Sequence, residues 1–201
     1  MLKAFDEIVL RDPIWRHYVV AHTDGWREKT IADAYSEAAE LELTLEAPEQ
    51  IREVFDTARH LLIYSWFAHR LLPVAEMQAV AALELALRVR LGDDGAGRRK
   101  RTLRPLLREA LRRGLIDADR LRSFRTRAEQ RTRFADRPDL VAALKLDQTA
   151  NEFVRALCDS IPDLRNLLAH GDPYLSPFAR RTVGISCDLI NQLFDSASVG
   201  R

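Results

Sequence analysis

Apolar residues recur along most of this chain at three- and four-residue intervals, the period of an amphipathic helix. From Glu49 the positions Ile51, Val54, Phe55, Ala58, Leu61, Leu62, Ser65 and Trp66 follow that spacing, and Pro48 suits a first helical turn. Pro73 is expected to kink or split this segment. Residues 74–91 are apolar on most of their circumference, which places that helix at the centre of a bundle. The Gly-rich run 92–97 stops it as a loop. Helices follow over 102–113, closed by Gly114, and from a cap at Asp117 or Asp119 to about 133, with a short piece over 140–144. The stretch 148–170 contains Pro162, which predicts that one helix ends at Ser160 and another begins. Gly171-Asp172-Pro173 is a strong stop, and a last helix is expected over 176–196.

Upstream, Asp12-Pro13 is expected to open a helix through Trp15, Tyr18 and Val19, and helix formers run over 28–45. Alternating β-branched runs and Asn-Gly hairpins are missing from the sequence. The pattern predicts an all-α protein: a helical bundle over 48–196 with an N-terminal helical extension, 1–46, packed on it.

Length and composition narrow the picture. A chain of 201 residues suits one domain with an extension and buries a real core, removing about 70% of the unfolded surface from water. The two cysteines, Cys158 and Cys187, sit in apolar helical contexts without zinc spacing, so buried free thiols are expected. The N-terminal stretch carries Asp6 and Glu7 and does not resemble a secretory signal. No run of eighteen apolar residues exists, because Pro73, Glu76, Gln78, Glu84, Arg88 and Arg90 interrupt the best candidate. A cytoplasmic protein without a membrane partner is expected.

Charge changes the picture locally. Net charge is +1, yet residues 98–137 hold fifteen Arg or Lys against five Asp or Glu. That segment, opened by Arg98, Arg99, Lys100 and Arg101, is either a phosphate-tracking surface or a solvated helix face.

The candidate chemistry lies at 165–172, Arg-Asn-Leu-Leu-Ala-His-Gly-Asp. Arginine neutralises phosphate, and histidine carries protons near neutral pH. The spacing alone carries little weight. With 27 arginines and five histidines, an Arg followed by His after four to six residues occurs three times, against about two by chance. Context distinguishes this copy: Asn166 stands beside Arg165, and a helix stop follows His170. In a regular helix the two side chains diverge by about 140°, so a shared site needs a helix end or a second copy of the chain.

The string Arg165-Asn166-Leu167-Leu168-Ala169-His170-Gly171 resembles the Arg-x4–6-His motif of the HEPN superfamily, in which a polar residue often follows the arginine. Residues 74–88 resemble the long apolar helix of these proteins, and 102–116 the segment that follows it in bacterial members. The similarity covers about 48–196. It implies a helical bundle that commonly dimerises with the motifs facing each other. It also implies a metal-independent endoribonuclease without a cofactor, of the kind found in toxin–antitoxin, anti-phage and CRISPR systems. Arg165 would stabilise the phosphorane-like transition state, His170 would act as acid or base in 2′-hydroxyl attack, and Asn166 would position. RNA, a second copy and an antitoxin protein are the implied partners. Other members have lost activity and serve as interaction modules.

Remaining polar residues have simpler readings. Glu84 sits in an otherwise apolar helix and needs a partner. Arg88, one turn on, is the local choice, and an inter-helix contact to Arg165 that orients the guanidinium is the other. His60 and His69 are expected at the core edge or an interface. Trp15, Tyr18 and Trp26 either pack the extension onto the bundle or stack bases.

Overall fold

The computed structural model describes residues 2–22, 25–93, 101–170 and 179–195. Eight α-helices and one hairpin are found among them. The strands are β1, Val19–His22, and β2, Gly25–Glu28. The helices are α1, Ile31–Ala39; α2, Glu49–Tyr64; α3, Leu72–Leu91; and α4, Leu103–Arg112. They continue as α5, Arg122–Arg133; α6, Pro138–Ala143; α7, Ala150–Ala169; and α8, Ala179–Phe194. No described helix is long and apolar enough to cross a membrane.

The bundle is built around α3. Ala75, Ala79, Val80, Ala82, Leu83, Ala86 and Leu87 are fully buried along one broad face, while Val74, Met77 and Val89 stand exposed on the other. Its alanines let neighbours approach closely, and α2 and α8 pack along it. The α2 stripe Ile51, Phe55, Ala58 and Leu62 repeats every three or four residues and faces inward. Val183, Cys187, Ile190 and Leu193 do the same on α8. Pro73 lies in the first turn of α3, where a missing N–H costs nothing, and a short 3-10 turn, His69–Leu71, separates α2 from α3. Gly92 (φ +67°) and Gly114 (φ +67°) terminate α3 and α4 in the left-handed conformation that favours glycine. The N–H groups of Asp93 and Leu115 close these ends on the carbonyls of Arg88 and Ala110.

Three expectations need correction. Pro162 does not split the last long segment: α7 runs unbroken through it. The reason is the inward stripe of Phe153, Val154, Leu157, Cys158, Ile161 and Pro162, which carries the helix up to the proline, with Leu164, Leu167 and Leu168 half-buried beyond it. Burying that stripe outweighs the single backbone hydrogen bond that proline forfeits. The second correction concerns residues 13–19. Pro13–His17 is a 3-10 turn, and the chain then enters the β1–β2 hairpin, paired from Val19–Glu28 to His22–Gly25. The third is the extent of the helix expected over 28–45, which is limited to α1 by a capping box of Thr30 with Asp33 and ends at Glu40.

Trp15 fastens this N-terminal segment to the bundle. It is buried, donates Nε1–H to the Ser65 carbonyl at 2.8 Å, stacks near Trp66 and meets His69 edge-on at 5.4 Å. Asp12 adds two backbone bonds: its N–H to the Trp66 carbonyl, and its carboxylate from the His69 N–H. Packing therefore accounts for Trp15, while Trp26 stands exposed on the hairpin. His60 lies exposed on α2 beside Tyr64.

Burial pushes the His69 pKa below the ordinary histidine value, and the neighbouring Asp12 charge only partly opposes this. The folded state therefore favours neutral His69. Its contribution to stability is present above the unfolded pKa and is lost as pH falls through the folded one. Thermal unfolding at about pH 5.5 against about pH 7.5 should show a smaller acid loss for His69→Gln than for wild type. Equal losses would remove His69 as a cause.

Candidate functional site

The α3–α4–α7 junction forms a cleft of about 370 Å³ whose polar lining is dominated by arginine. Glu84 and Arg88 enter from α3, Arg101, Thr102 and Arg104 from the start of α4, and Pro162, Arg165 and Asn166 from α7. Four guanidinium groups thus line a space with one carboxylate.

The arginines are not equally engaged. Arg88 is the hub: Nη2 donates to Glu84 Oε1 at 2.6 Å and to the Arg101 carbonyl at 2.7 Å, and Nη1 reaches Asp93 Oδ2 at 3.3 Å. These bonds tie the end of α3 to the entry of α4. Arg101 Nε lies 3.5 Å from the same Asp93 oxygen. Arg104 spans from α4 to α7, donating to Asp163 Oδ1 at 2.6 Å, and Arg108 follows one turn later to Asp159 at 2.8 Å. Arg165 is the freest. Its side chain is 48% exposed, and its ion pair with Glu84 is the longest here, Nε to Oε2 at 4.0 Å. That separation is an ion pair without a hydrogen bond. A guanidinium so held can turn toward an incoming anion at little cost.

Both partners weighed for Glu84 are therefore present. Arg88 takes Oε1 through the one-turn pair, and Arg165 faces Oε2 from the neighbouring helix. The carboxylate partly neutralises the arginine that the motif places at the centre. Replacing Glu84 with Gln is expected to tighten binding of a phosphate-containing oligomer and to steepen its salt dependence by roughly one charge. The same change should lower any turnover, because Arg165 loses the group that aims it. Fluorescence anisotropy across a salt series, paired with single-turnover rates, separates the two effects.

His170 sits elsewhere. It is the C-cap of α7, with φ −85° and ψ 1°, and its N–H still donates to the Asn166 carbonyl at 3.1 Å. The helix keeps its turn as far as His170, so the divergence of about 140° from Arg165 persists. The imidazole is exposed and does not line the cleft. The structure thus brings Arg165, Asn166, Glu84 and Arg101 together and leaves His170 outside them. Arg98, Arg99 and Lys100, and the Gly171–Asp172–Pro173 stop, lie outside the described residues. Arg104 and Thr102 line the cleft without having been singled out from sequence. Their signal is topological: it exists only once α4 is known to lie against α7.

Other chemistries find little support among the described residues. Burial pushes the Cys158 and Cys187 thiols up to about 11, away from nucleophilic thiolate. No three His, Cys, Asp or Glu side chains gather as a metal site requires among the described residues. The chain matches no family model, no curated protein and no solved structure.

Proposed function

We propose that this chain is a metal-independent endoribonuclease of the HEPN type that acts as a homodimer. The observation that carries this reading is the pairing of Arg165 and Asn166 on one wall of a cleft that Arg88, Arg101 and Arg104 also line, with Arg165 the least engaged of the four guanidiniums. A scissile phosphodiester fits such a lining, because guanidinium groups hold phosphate oxygens through paired charge-assisted hydrogen bonds. A base removes the ribose 2′-hydroxyl proton, the oxygen attacks the adjacent phosphorus, and the 5′-oxygen departs with a proton from an acid. Arg165 stabilises the added negative charge, Asn166 donates its amide to a phosphate oxygen, and His170 carries a proton. Since His170 points away from its own cleft, the histidine that serves each cleft comes from the second copy. An antitoxin-type inhibitor fits the same scheme as an acidic surface laid over the four arginines.

Incubating the purified protein with total RNA in excess EDTA tests this. Wild type is expected to cleave undiminished, and Arg165→Ala to cleave about 10²–10³-fold more slowly. Cleavage abolished by EDTA, or equal rates for the two proteins, rules the proposal out.

A second reading has one specific observation in its favour, the absence of His170 from the cleft lining. In that case the cleft binds RNA or a nucleotide without cutting it, and the bundle serves as an interaction module. Oligonucleotide binding lost in Arg165→Ala, together with no cleavage by wild type, would select it.

A further inference from the structure

A second cationic cavity lies on a different face, between α5 and α8. It has a volume of about 550 Å³, within the range of ligand sites. Two carboxylates line it, and both are already paired. Asp188 accepts the Arg122 backbone N–H at 2.8 Å and its Nε–H at 2.6 Å. Glu40 accepts from Arg180 Nη2 at 2.8 Å.

Two further arginines line the same cavity with no carboxylate at ion-pair distance among the described residues, although the charge of Asp147 lies near Arg127. Arg127 donates only to neutral acceptors: the carbonyls of Leu144 and Lys145, and Gln148 Oε1. Its guanidinium also lies over the Phe153 ring at 5.4 Å. Arg181 is exposed, and no carboxylate pairs with it among the described residues. Burial, and then the like charge of Arg181, pushes the Arg127 pKa down, and the Asp147 charge opposes this only in part. Beside them the Ser123 Oγ is buried and has no hydrogen-bond partner among the described residues. Ser123 belongs to the first turn of α5, where the Arg122 N–H is already capped by Asp188 and the Phe124 and Arg125 N–H groups go to the Leu121 carbonyl. Thr126 and Gln130 supply further polar atoms one and two turns on.

Two guanidiniums without an ion-pair partner and an orphaned hydroxyl share one requirement, an anionic oxygen cluster. We propose that the α5–α8 groove is a second anion site that takes the phosphate of a nucleotide or of a polynucleotide backbone on Arg127, Arg181 and Ser123. The site is independent of the ribonuclease proposal, which concerns the α3–α4–α7 cleft. Its volume exceeds a lone phosphate and accommodates an attached sugar and base.

The full chain is titrated with AMP by calorimetry and with a fluorescein-labelled oligouridylate by anisotropy, as wild type, Arg181→Glu, Ser123→Ala and Arg165→Glu. Arg181 is exposed, so its replacement should leave Tm unchanged. Arg181→Glu is expected to weaken binding by about tenfold or more, the size of a lost charge-assisted hydrogen bond. Ser123→Ala should weaken it less, and Arg165→Glu should retain the Arg181-dependent component. Binding of AMP identifies a free nucleotide as the phosphate source. Binding of the oligomer but not AMP identifies a polynucleotide backbone. No binding of either probe to wild type, or wild-type affinity of Arg181→Glu for both, overturns the proposal.

Discussion

His170→Ala is expected to slow RNA cleavage by about 10²–10⁴-fold, the usual contribution of a positioned general acid or base. Its Tm should stay close to wild type, because the imidazole is exposed at a helix end and its loss leaves no cavity. The more telling experiment mixes two inactive proteins. In an isologous dimer whose sites each combine Arg165 of one copy with His170 of the other, His170→Ala and Arg165→Ala complement each other. Random reassortment makes half the dimers heterodimers, and one of their two sites is intact. About a quarter of wild-type activity should therefore return. If each site were built within one copy, mixing would restore nothing. The divergence of about 140° along α7 makes this cross-copy arrangement the expected one.

The helical frame of this protein was legible because burial repeats with the helical period. Ile51, Phe55, Ala58 and Leu62 specify the inner face of α2 by their spacing alone, and the apolar girth of 74–91 marks the central helix. Pro162 breaks a local rule because it closes a buried stripe and half-buried leucines follow it. The hairpin was hidden for the opposite reason. Its strands are four residues each, β2 is exposed throughout, and Gly-Trp-Arg-Glu carries no alternation to read. The pairing of Glu84 with Arg88 follows from one helical turn. The pairing with Arg165, and the arrival of Arg104 in the same cleft, depend on how α3, α4 and α7 meet. The angular offset of His170 was available from helix geometry alone, and α7 keeps it.

Phe55→Ala is expected to cost about 3–5 kcal/mol, the range for deleting a buried aromatic ring. Phe55 is fully buried on α2, among the largest side chains of the core, and α2 packs along much of α3. For a chain of this size that cost corresponds to a Tm fall on the order of 10 °C. The variant also separates frame from site. Glu84 and Arg88 lie on α3, one helix away from the cavity that the substitution creates, and α4 and α7 hold the other cleft wall through Arg104 and Asp163. Below its lowered Tm, Phe55→Ala should therefore keep most of its affinity for a phosphate-containing oligomer, as measured by anisotropy at low temperature. Arg165→Ala should show the reverse, an unchanged Tm with weakened binding. A Phe55→Ala protein that melts like wild type would mean that α2 is not held on α3 by this ring. One that folds at low temperature but no longer binds would mean that the cleft geometry depends on the whole α2–α3 contact and not on the α3–α4–α7 ion pairs.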